Sequence, residues 1–354
     1  MLFASKYGRL LVSTSKTQFS ESRVAVRPKT EHLRHLLLIC ENMWEHRELL
    51  PELRKICEVD FVDVREARVT PDAFNEHLDV DRVTQKLLSL KCVNYDLIVV
   101  YLRSSLLSET LLSFLRQTWS APLVGLNLDD KTNFEHLEIF QRTDRPYRAW
   151  ASQFDCNFSN TRSMIELYHA HGFPCLYVPT GFHYDSSRLP TTEIYRYQTS
   201  FVGSYKPERG KFIRSLERLG IEVAVFGSGW RNPRFVDDGW TIYAASQINL
   251  GIGYNINGKQ VTNLKNRDFE CPGAGGCYLT TFDWELAELF RVGEEILCYR
   301  DIHDLAEIWS FYIRRPERCR EIAEAGRQRA IREHTWENRF RNAFSALGFR
   351  VAKD

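Results

Sequence analysis

The sequence has almost no excess of either charge, and the signatures of several enzyme classes do not occur in it. Its 47 Lys and Arg residues nearly balance 46 Asp and Glu residues, for a formal net charge of +1. The chain therefore lacks the basic surplus that would indicate a nucleic-acid partner. The patterns G-x-S-x-G, H-E-x-x-H and the P-loop do not occur either, so the sequence carries no signature of a hydrolase or an NTPase of those types.

Metal-site and membrane signals are also missing from the sequence. Nine cysteines are scattered along the chain without a C-x-x-C pair or zinc-site spacing. Scattered free thiols are typical of a reducing compartment. No stretch approaches the roughly 18 apolar residues of a membrane span, and the first residues lack the layout of a signal peptide. We therefore predict a cytoplasmic protein with no bound metal and no membrane span.

Short apolar runs alternate with helical patterns in two successive parts of the chain. The first part starts at the run His35–Cys40, and the pattern restarts at Thr199. Strands and helices that alternate at this spacing predict parallel, doubly wound sheets. Two such domains would enclose a cleft for a small ligand. The predicted organisation is an arm (1–34), a first α/β domain (35–180), a linker (181–198), a second α/β domain (199–334) and a last helix (335–354).

The segment 263–281, with the sequence N-L-K-N-R-D-F-E-C-P-G-A-G-G-C-Y-L-T-T, combines charge with glycine. It predicts a short helix, a glycine stop and a buried strand. Lys265 and Arg267 supply cations, and the guanidinium of Arg267 suits a diphosphate. The carboxylate of Glu270 could accept hydrogen bonds from ribose hydroxyls. Arg267 and Glu270 could equally form an ordinary surface pair three residues apart.

Two glycine turns follow predicted strands of the second domain. Gly203 and Ser204 precede a helix that begins near Arg209. Amides at such a turn bind anions, and an anionic ligand would explain a cation at a helix start. The alternative is a surface charge beside Glu208. Gly227 lies in the second turn, which a plain connection between a strand and the next element would also use.

Two adjacent carboxylates, Asp129 and Asp130, end a predicted strand of the first domain. Carboxyl ends of parallel strands face the ligand crevice of open sheets. Either side chain could act as a general base on an acceptor hydroxyl, or bind a metal or sugar hydroxyls. Capping of the helix that follows is the alternative. His136, in that helix, is a weaker candidate because a lone histidine is more often structural.

Six short motifs occur in order in the second half of the chain. They are F-V-G-S-x4-R (201–209), V-F-G-S-G-W (225–230), I-N-L-G (248–251), R-D-F-E-C-P-G-A-G-G (267–276), L-F-x2-G-E-E-I (289–296) and E-H-T-W-E-N-R (333–339). Together, over about residues 199–342, they resemble the CgeB-like glycosyltransferases. The first domain matches this family only in its layout and in its Asp-Asp strand end.

The resemblance implies a GT-B fold, in which two Rossmann-like domains face a cleft and the last helix crosses back to the first domain. It implies sugar transfer from a nucleotide-sugar, UDP-sugar above all, without a metal or another cofactor. Glu270 matches the ribose-binding Glu of the family's E-x7-E pair. The first Glu of that pair would fall at position 262, where this chain has Thr262, so the stereochemical outcome stays open.

The same resemblance and the residue patterns define the predicted site. Arg209 and Arg267 would hold the diphosphate, and glycines would let backbone amides approach the donor. The predicted donor-binding residues are Gly203, Ser204, Arg209, Gly227, Lys265, Arg267, Glu270, Gly275 and Gly276, and the predicted catalytic residues are Asp130 and Arg267. The acceptor could be a glycan, a lipid-linked compound, a protein or a small molecule. A nucleotide-sugar epimerase of the same fold and an inactive binding module remain alternatives.

Overall fold

The structure is a computed structural model, which describes residues 30–70, 77–135, 145–188, 195–231, 239–256, 259–261 and 264–351. The chain divides into two compact units. We call Glu21–His183 together with Trp336–Asp354 the N-unit, and Tyr184–Thr335 the C-unit. The division after His183 falls inside the segment that the sequence predicted as a linker.

The N-unit contains a six-stranded parallel sheet with the order β2-β1-β5-β6-β7-β8. A short antiparallel pair, β3 with β4, accompanies it. The strands are β1 (His35–Cys40), β2 (Glu58–Asp63), β3 (Arg68–Val69), β4 (His77–Leu78), β5 (Leu97–Tyr101), β6 (Leu123–Asn127), β7 (Cys156–Ser159) and β8 (Cys175–Tyr177). The helices are α1 (Glu45–Arg54), α2 (Val80–Leu88), α3 (Glu109–Thr118), α4 (Asp130–Asn133), α5 (Arg148–Ala151) and α6 (Arg162–Ala170).

Both faces of this sheet are covered, which is why its central strands are apolar throughout. Successive residues of β1 point to opposite faces. Leu37 and Ile39 join one apolar cluster, and Leu36 and Leu38 join the other. The sequence pattern of continuous apolar runs thus leads directly to a sheet between two layers.

The C-unit repeats this architecture with a five-stranded parallel sheet of order β10-β9-β11-β14-β15. Its strands are β9 (Tyr197–Val202), β10 (Ala224–Phe226), β11 (Ser246–Leu250), β12 (Tyr254–Ile256), β13 (Lys259–Val261), β14 (Tyr278–Thr281) and β15 (Leu297–Tyr299), of which β12 and β13 form an antiparallel pair. Its helices are α7 (Pro207–Arg218), α8 (Trp240–Ala244), α9 (Arg267–Gly273), α10 (Trp284–Leu289), α11 (Ile302–Tyr312) and α12 (Pro316–Glu333).

The last helix, α13 (Trp336–Ala346), packs within the N-unit, as the family resemblance implied. The Trp336 ring stacks on Trp44, with ring centroids 6.2 Å apart. The Trp336 backbone N–H donates to Phe182 O over 3.0 Å, and the Glu337 N–H donates to the Glu52 carboxylate over 3.1 Å. The end of the chain therefore completes the core around α1.

Among the described residues, several elements begin or end at positions other than those that the sequence predicts. The sequence pattern over residues 71–90 predicts a helix. The observed helix begins at Val80, because the Asp79 side chain caps it by accepting from the Arg82 N–H over 3.2 Å. Residues 71–76 of that prediction lie outside the described part. The helix expected from Arg209 begins two residues earlier at Pro207, since proline is well tolerated in the first turn.

Two further sequence predictions concern cysteines and membranes. The nine cysteines are free thiols, and seven of them are buried. Within the described ranges, the chain has no helix that is both long enough and apolar enough to span a bilayer.

Candidate functional site

A pocket opens at the carboxyl ends of β11 and β14 in the C-unit, where ligands bind in open parallel sheets. Its volume is about 420 Å³, including the solvent at its mouth. Three cations, two carboxylates and two hydroxyls give it a polar lining. The lining residues are Arg209, Ile252, Gly253, Leu264, Lys265, Arg267, Asp268, Thr280, Thr281, Asp283 and Leu286.

Arg267 is the first residue of α9, and its side chain turns back towards the end of β9. The Nη1 group donates to Val202 O over 2.6 Å, and the guanidinium lies 4.8 Å from the centre of the Phe201 ring. Its Nε is buried and has no hydrogen-bond partner in the described part of the chain. A Cβ on Gly203 would lie 2.9 Å from the Arg267 Nη1 atom. Glycine at 203 thus makes room for the guanidinium.

Polar neighbours of Arg267 offset the cost of its burial. Burial by itself would lower the pKa of the guanidinium, but Tyr278 and Asp268 beside it hold the pKa above its ordinary value. Asp268 is buried and accepts from the Tyr278 hydroxyl over 2.6 Å and from the Lys265 N–H over 2.7 Å. Burial nevertheless raises the pKa of Asp268. Arg267 therefore stays charged in the pocket wall.

Arg209 reaches the same pocket from the first turn of α7. Its Nη1 donates to Ser204 O over 2.8 Å, and its guanidinium lies 5.5 Å from the Phe201 ring centre. Arg209 and Arg267 thus flank one aromatic ring and line one pocket. Lys265, partly buried, lines it as well. The structure therefore brings together all three predicted cations.

The two predicted glycine turns contact each other. A Cβ on Gly227, whose φ is +123°, would lie 2.6 Å from Gly203 O. The indole N–H of Trp230 donates to the same oxygen over 2.8 Å. Ser204, after Gly203, is exposed. Gly227 is therefore required for the packing of the turns after β9 and β10, and its role as a donor ligand stays a prediction.

Glu270 lies one turn after Arg267 on α9 but outside the lining of the pocket. Its Oε2 accepts from the Tyr243 hydroxyl over 3.5 Å. Its Oε1 lies 3.8 Å from Nη2 of Arg188, and the two side chains are 18% and 22% exposed. Glu270 therefore faces Arg188 and Tyr243, at the side of α9 next to α8.

Gly275 and Gly276 have a structural role that the sequence prediction did not include. Their N–H groups donate to Pro272 O over 2.8 Å and to Cys271 O over 2.9 Å, which closes the end of α9. A Cβ on Gly276 would lie 2.8 Å from Asn249 Nδ2. The amides that were expected to face the donor are thus engaged by the helix, and donor binding by these glycines stays a prediction.

Asp130 is not where the sequence analysis expected an acceptor-side base. It begins α4 with its side chain turned inward, and it is 1% exposed. Neither carboxylate oxygen has a hydrogen-bond partner in the described residues. The nearby Ser159 hydroxyl donates to Thr161 O, and the Thr161 hydroxyl donates to Asn160. Burial raises the pKa of Asp130 to about 7. An acceptor cannot reach this carboxyl group in the observed conformation. Its neighbour Asp129 is partly exposed.

The polar end of β14 was not predicted as part of the site. Thr280 and Thr281 line the pocket, and so does Asp283, whose side chain caps α10 by accepting from the Glu285 N–H over 2.7 Å. Polar residues directly after a buried strand are the signal that could have identified them. Thr262, where the first Glu of the family's pair would fall, and the candidate His136 lie outside the described residues.

Comparison with known proteins agrees with this architecture. Residues 209–345 match the model of a family described as glycosyl transferase-like, a range that overlaps the six ordered motifs. No curated protein sequence matches the chain.

Solved structures match the chain over both units. Sucrose-phosphate synthase from Thermosynechococcus elongatus superimposes with a TM-score of 0.54 and 13% identity, over 88% of this chain and 100% of that one. Anabaena HepE, solved with UDP and glucose, has a TM-score of 0.56 and 11% identity, over 89% and 99% of the two chains. Pneumococcal O-GlcNAc transferase GtfA, solved with UDP and GlcNAc, has a TM-score of 0.50 and 11% identity, over 77% of this chain and 60% of that one.

These likenesses establish the fold, which is GT-B with two Rossmann-like domains. Together, the family match and the fold support a sugar-transferring enzyme.

Proposed function

We propose that the protein is a CgeB-like glycosyltransferase that uses a nucleoside diphosphate sugar, with UDP as the nucleotide. The observation that carries the proposal is the placement of Arg209 and Arg267 in one pocket at the carboxyl edge of the C-unit sheet. The family match over residues 209–345 supports sugar transfer. Two structures of similar fold, HepE and GtfA, contain UDP, which favours uridine as the base.

In this reaction the bond between the anomeric carbon and the diphosphate oxygen breaks, and a bond from that carbon to the acceptor oxygen forms. The acceptor hydroxyl loses its proton to a base, and the nucleoside diphosphate leaves as an anion. Arg209 and Arg267 would stabilise the negative charge that develops on the leaving group. The charge of Arg267, maintained despite burial, suits it to that role.

Glu270 would bind the ribose of the donor. A carboxylate accepts two hydroxyl hydrogen bonds, and the carboxylate of Glu270 is 18% exposed. Its position one helical turn after Arg267 supports a ribose site next to the proposed diphosphate site.

The proposed mechanism is independent of metal ions, because guanidinium groups replace the cation that often neutralises a diphosphate. We expect turnover of the donor sugar to persist in excess EDTA. A loss of turnover that Mg²⁺ or Mn²⁺ restores would contradict this part of the proposal.

A thermal-shift panel tests the donor site. Binding to the native state raises the melting temperature by mass action, so UDP, GDP, dTDP, ADP and CMP are compared on wild type and on Glu270→Ala. We expect UDP to stabilise wild type and to have little effect on the variant. The control is Glu321→Ala, which removes an exposed carboxylate of α12 and should respond as wild type does. The donor-site proposal fails if no nucleotide at millimolar concentration shifts wild type.

A further inference from the structure

The short segment Tyr184–Arg188 places a guanidinium directly beside Glu270. This segment lies in the part of the chain predicted as a linker, and it ends in one turn of 3-10 helix, Ser186–Arg188. The Arg188 guanidinium carbon lies 4.6 Å from the centre of the Trp240 ring. Its Nη2 lies 3.8 Å from Glu270 Oε1. Arg188 thus stands between an aromatic ring and the carboxylate.

Packing and charge together fix this guanidinium. Trp240 is fully buried, and the Tyr184 ring lies against it with centroids 6.1 Å apart. A guanidinium over an indole face is held by the electrostatic attraction of the ring. The distance of 3.8 Å to Glu270 is an ion-pair distance and too long for a direct hydrogen bond. The carboxylate can therefore accept from another hydroxyl without losing a short bond to Arg188.

We propose that Arg188 binds the nucleoside part of the donor and forms the wall of its site next to the ribose. The inference rests on the proposed function, because it takes Glu270 as the ribose carboxylate. The base is attached to the same ribose ring whose hydroxyls would bind Glu270, so a bound nucleotide brings its base to within a few ångströms of that carboxylate.

The guanidinium of Arg188 suits a nucleobase in two ways. One planar face lies on Trp240, and a base can stack on a guanidinium plane as it does on an aromatic ring. The edge of the guanidinium carries only hydrogen-bond donors, so it matches the carbonyl oxygens of a base such as uracil. Trp240, being fully buried, cannot stack on the base itself. Arg188 therefore extends the aromatic surface into the site.

Two probes separate the nucleoside from the diphosphate. UDP has ribose, base and diphosphate, whereas inorganic pyrophosphate has only the phosphates that Arg209 and Arg267 would bind. Dissociation constants for both probes are measured by calorimetry on wild type, Arg188→Ala, Arg188→Gln and Glu270→Ala. Arg188→Gln retains an aliphatic stem over Trp240 and removes the charged plane. The control is Arg318→Ala, which removes an exposed arginine paired with Glu321.

We expect both Arg188 variants to bind UDP about tenfold more weakly and to bind pyrophosphate within twofold of wild type. Unchanged or tighter UDP binding would overturn the inference, and tighter binding would show that Arg188 competes with the ribose for Glu270. Equal weakening of both probes would also overturn it, because the effect would then not be specific to the nucleoside. If wild type binds neither probe, the proposed function itself fails. If Glu270→Ala weakens UDP binding and Arg188→Ala does not, only this inference fails.

Discussion

Arg267 keeps its positive charge, although burial alone would lower the pKa of its guanidinium. Asp268 and the hydroxyl of Tyr278 lie next to it and raise the pKa of the guanidinium. Its Nε points to no partner in the described chain, and a buried donor without a partner costs free energy. A bound diphosphate oxygen would satisfy such a donor. Arg267 therefore donates a hydrogen bond to Val202 O and can also bind an anion.

Replacement of Arg267 by lysine should lower turnover about a hundredfold, because lysine keeps the charge but cannot present the planar fork that a diphosphate requires. The measurement is kcat with the donor sugar that the thermal-shift panel identifies, together with the melting temperature of the unliganded protein. Arg318→Lys is the matched control on the exposed face of α12. Turnover at the wild-type rate in a folded Arg267→Lys protein would remove this residue from the mechanism.

Asp130 should make the stability of the protein depend on pH. Burial raises its pKa in the folded state from 3.8 to about 7, so the folded chain holds a proton that the unfolded chain releases above about pH 4. The free energy of unfolding should therefore fall as pH rises from about 4 to 7, by up to about 1.4 kcal/mol per unit, and level off above 7.

The variant Asp130→Asn isolates this effect, because asparagine has the same shape and does not titrate. As pH is raised from 5 to 8, we expect the free energy of unfolding of the variant to rise by a few kcal/mol relative to that of wild type. Urea unfolding at both pH values measures it, and Asp129→Asn is the control at the partly exposed neighbour. A difference between Asp130→Asn and wild type that is the same at both pH values would show that the carboxyl group does not titrate in this range.

At the scale of elements, two strand-to-helix turns build one wall of the site. The turn after β9 and the turn after β10 touch at Gly203 and Gly227, where a side chain would collide with backbone. Backbone cannot move aside as a flexible side chain can. The contact therefore fixes the position of Ser204 O, which holds Arg209.

Gly227→Ala should both destabilise the protein and weaken UDP binding. Its Cβ would lie 2.6 Å from Gly203 O, at a φ of +123° that alanine rarely adopts. Gly220→Ala is the matched control, since Gly220 has a φ of +78° and nothing within 4 Å of the added Cβ. We expect the control to lose about 1 kcal/mol of stability and to retain its UDP affinity, whereas Gly227→Ala loses more stability and at least tenfold in affinity. Equal effects of the two substitutions on both quantities would contradict the close contact.

The positions of most strands and helices could be predicted because apolar periodicity is a local property. β1 was predicted with its observed bounds, and α9 with its glycine stop. The start of α2 was wrong because the cap at Asp79 was not recognised. The pair β3 and β4 was not predicted, since strands of two residues carry no measurable pattern.

At the scale of the whole molecule, the last helix completes the core of the first unit. Trp336, Phe340 and Phe344 of α13 are buried in the apolar cluster that also contains Leu36 and Leu49. Residues about 300 positions apart in the chain thus share one core. The core of the N-unit therefore cannot be complete until α13 has been synthesised.

Trp336→Ala should destabilise the N-unit by about 3–5 kcal/mol, because the substitution removes a fully buried indole and leaves a cavity. Trp284→Ala is the matched control, as Trp284 is 63% exposed and should change stability by less than about 1 kcal/mol. Calorimetric unfolding of both variants tests the difference. Similar melting behaviour of the two variants would show that α13 is not part of the core.

The sequence by itself determined that the chain forms two α/β units, and it identified Arg209, Arg267 and Glu270 as site candidates, because strand and glycine patterns are local. Tertiary structure decided which candidates meet. It brought Arg209 and Arg267, 58 positions apart in the numbering, to one pocket, and it turned Asp130 into the interior. It also placed Arg188 beside Glu270. Such contacts depend on how strands are ordered in a sheet and on which way a side chain points, and neither is contained in the local pattern.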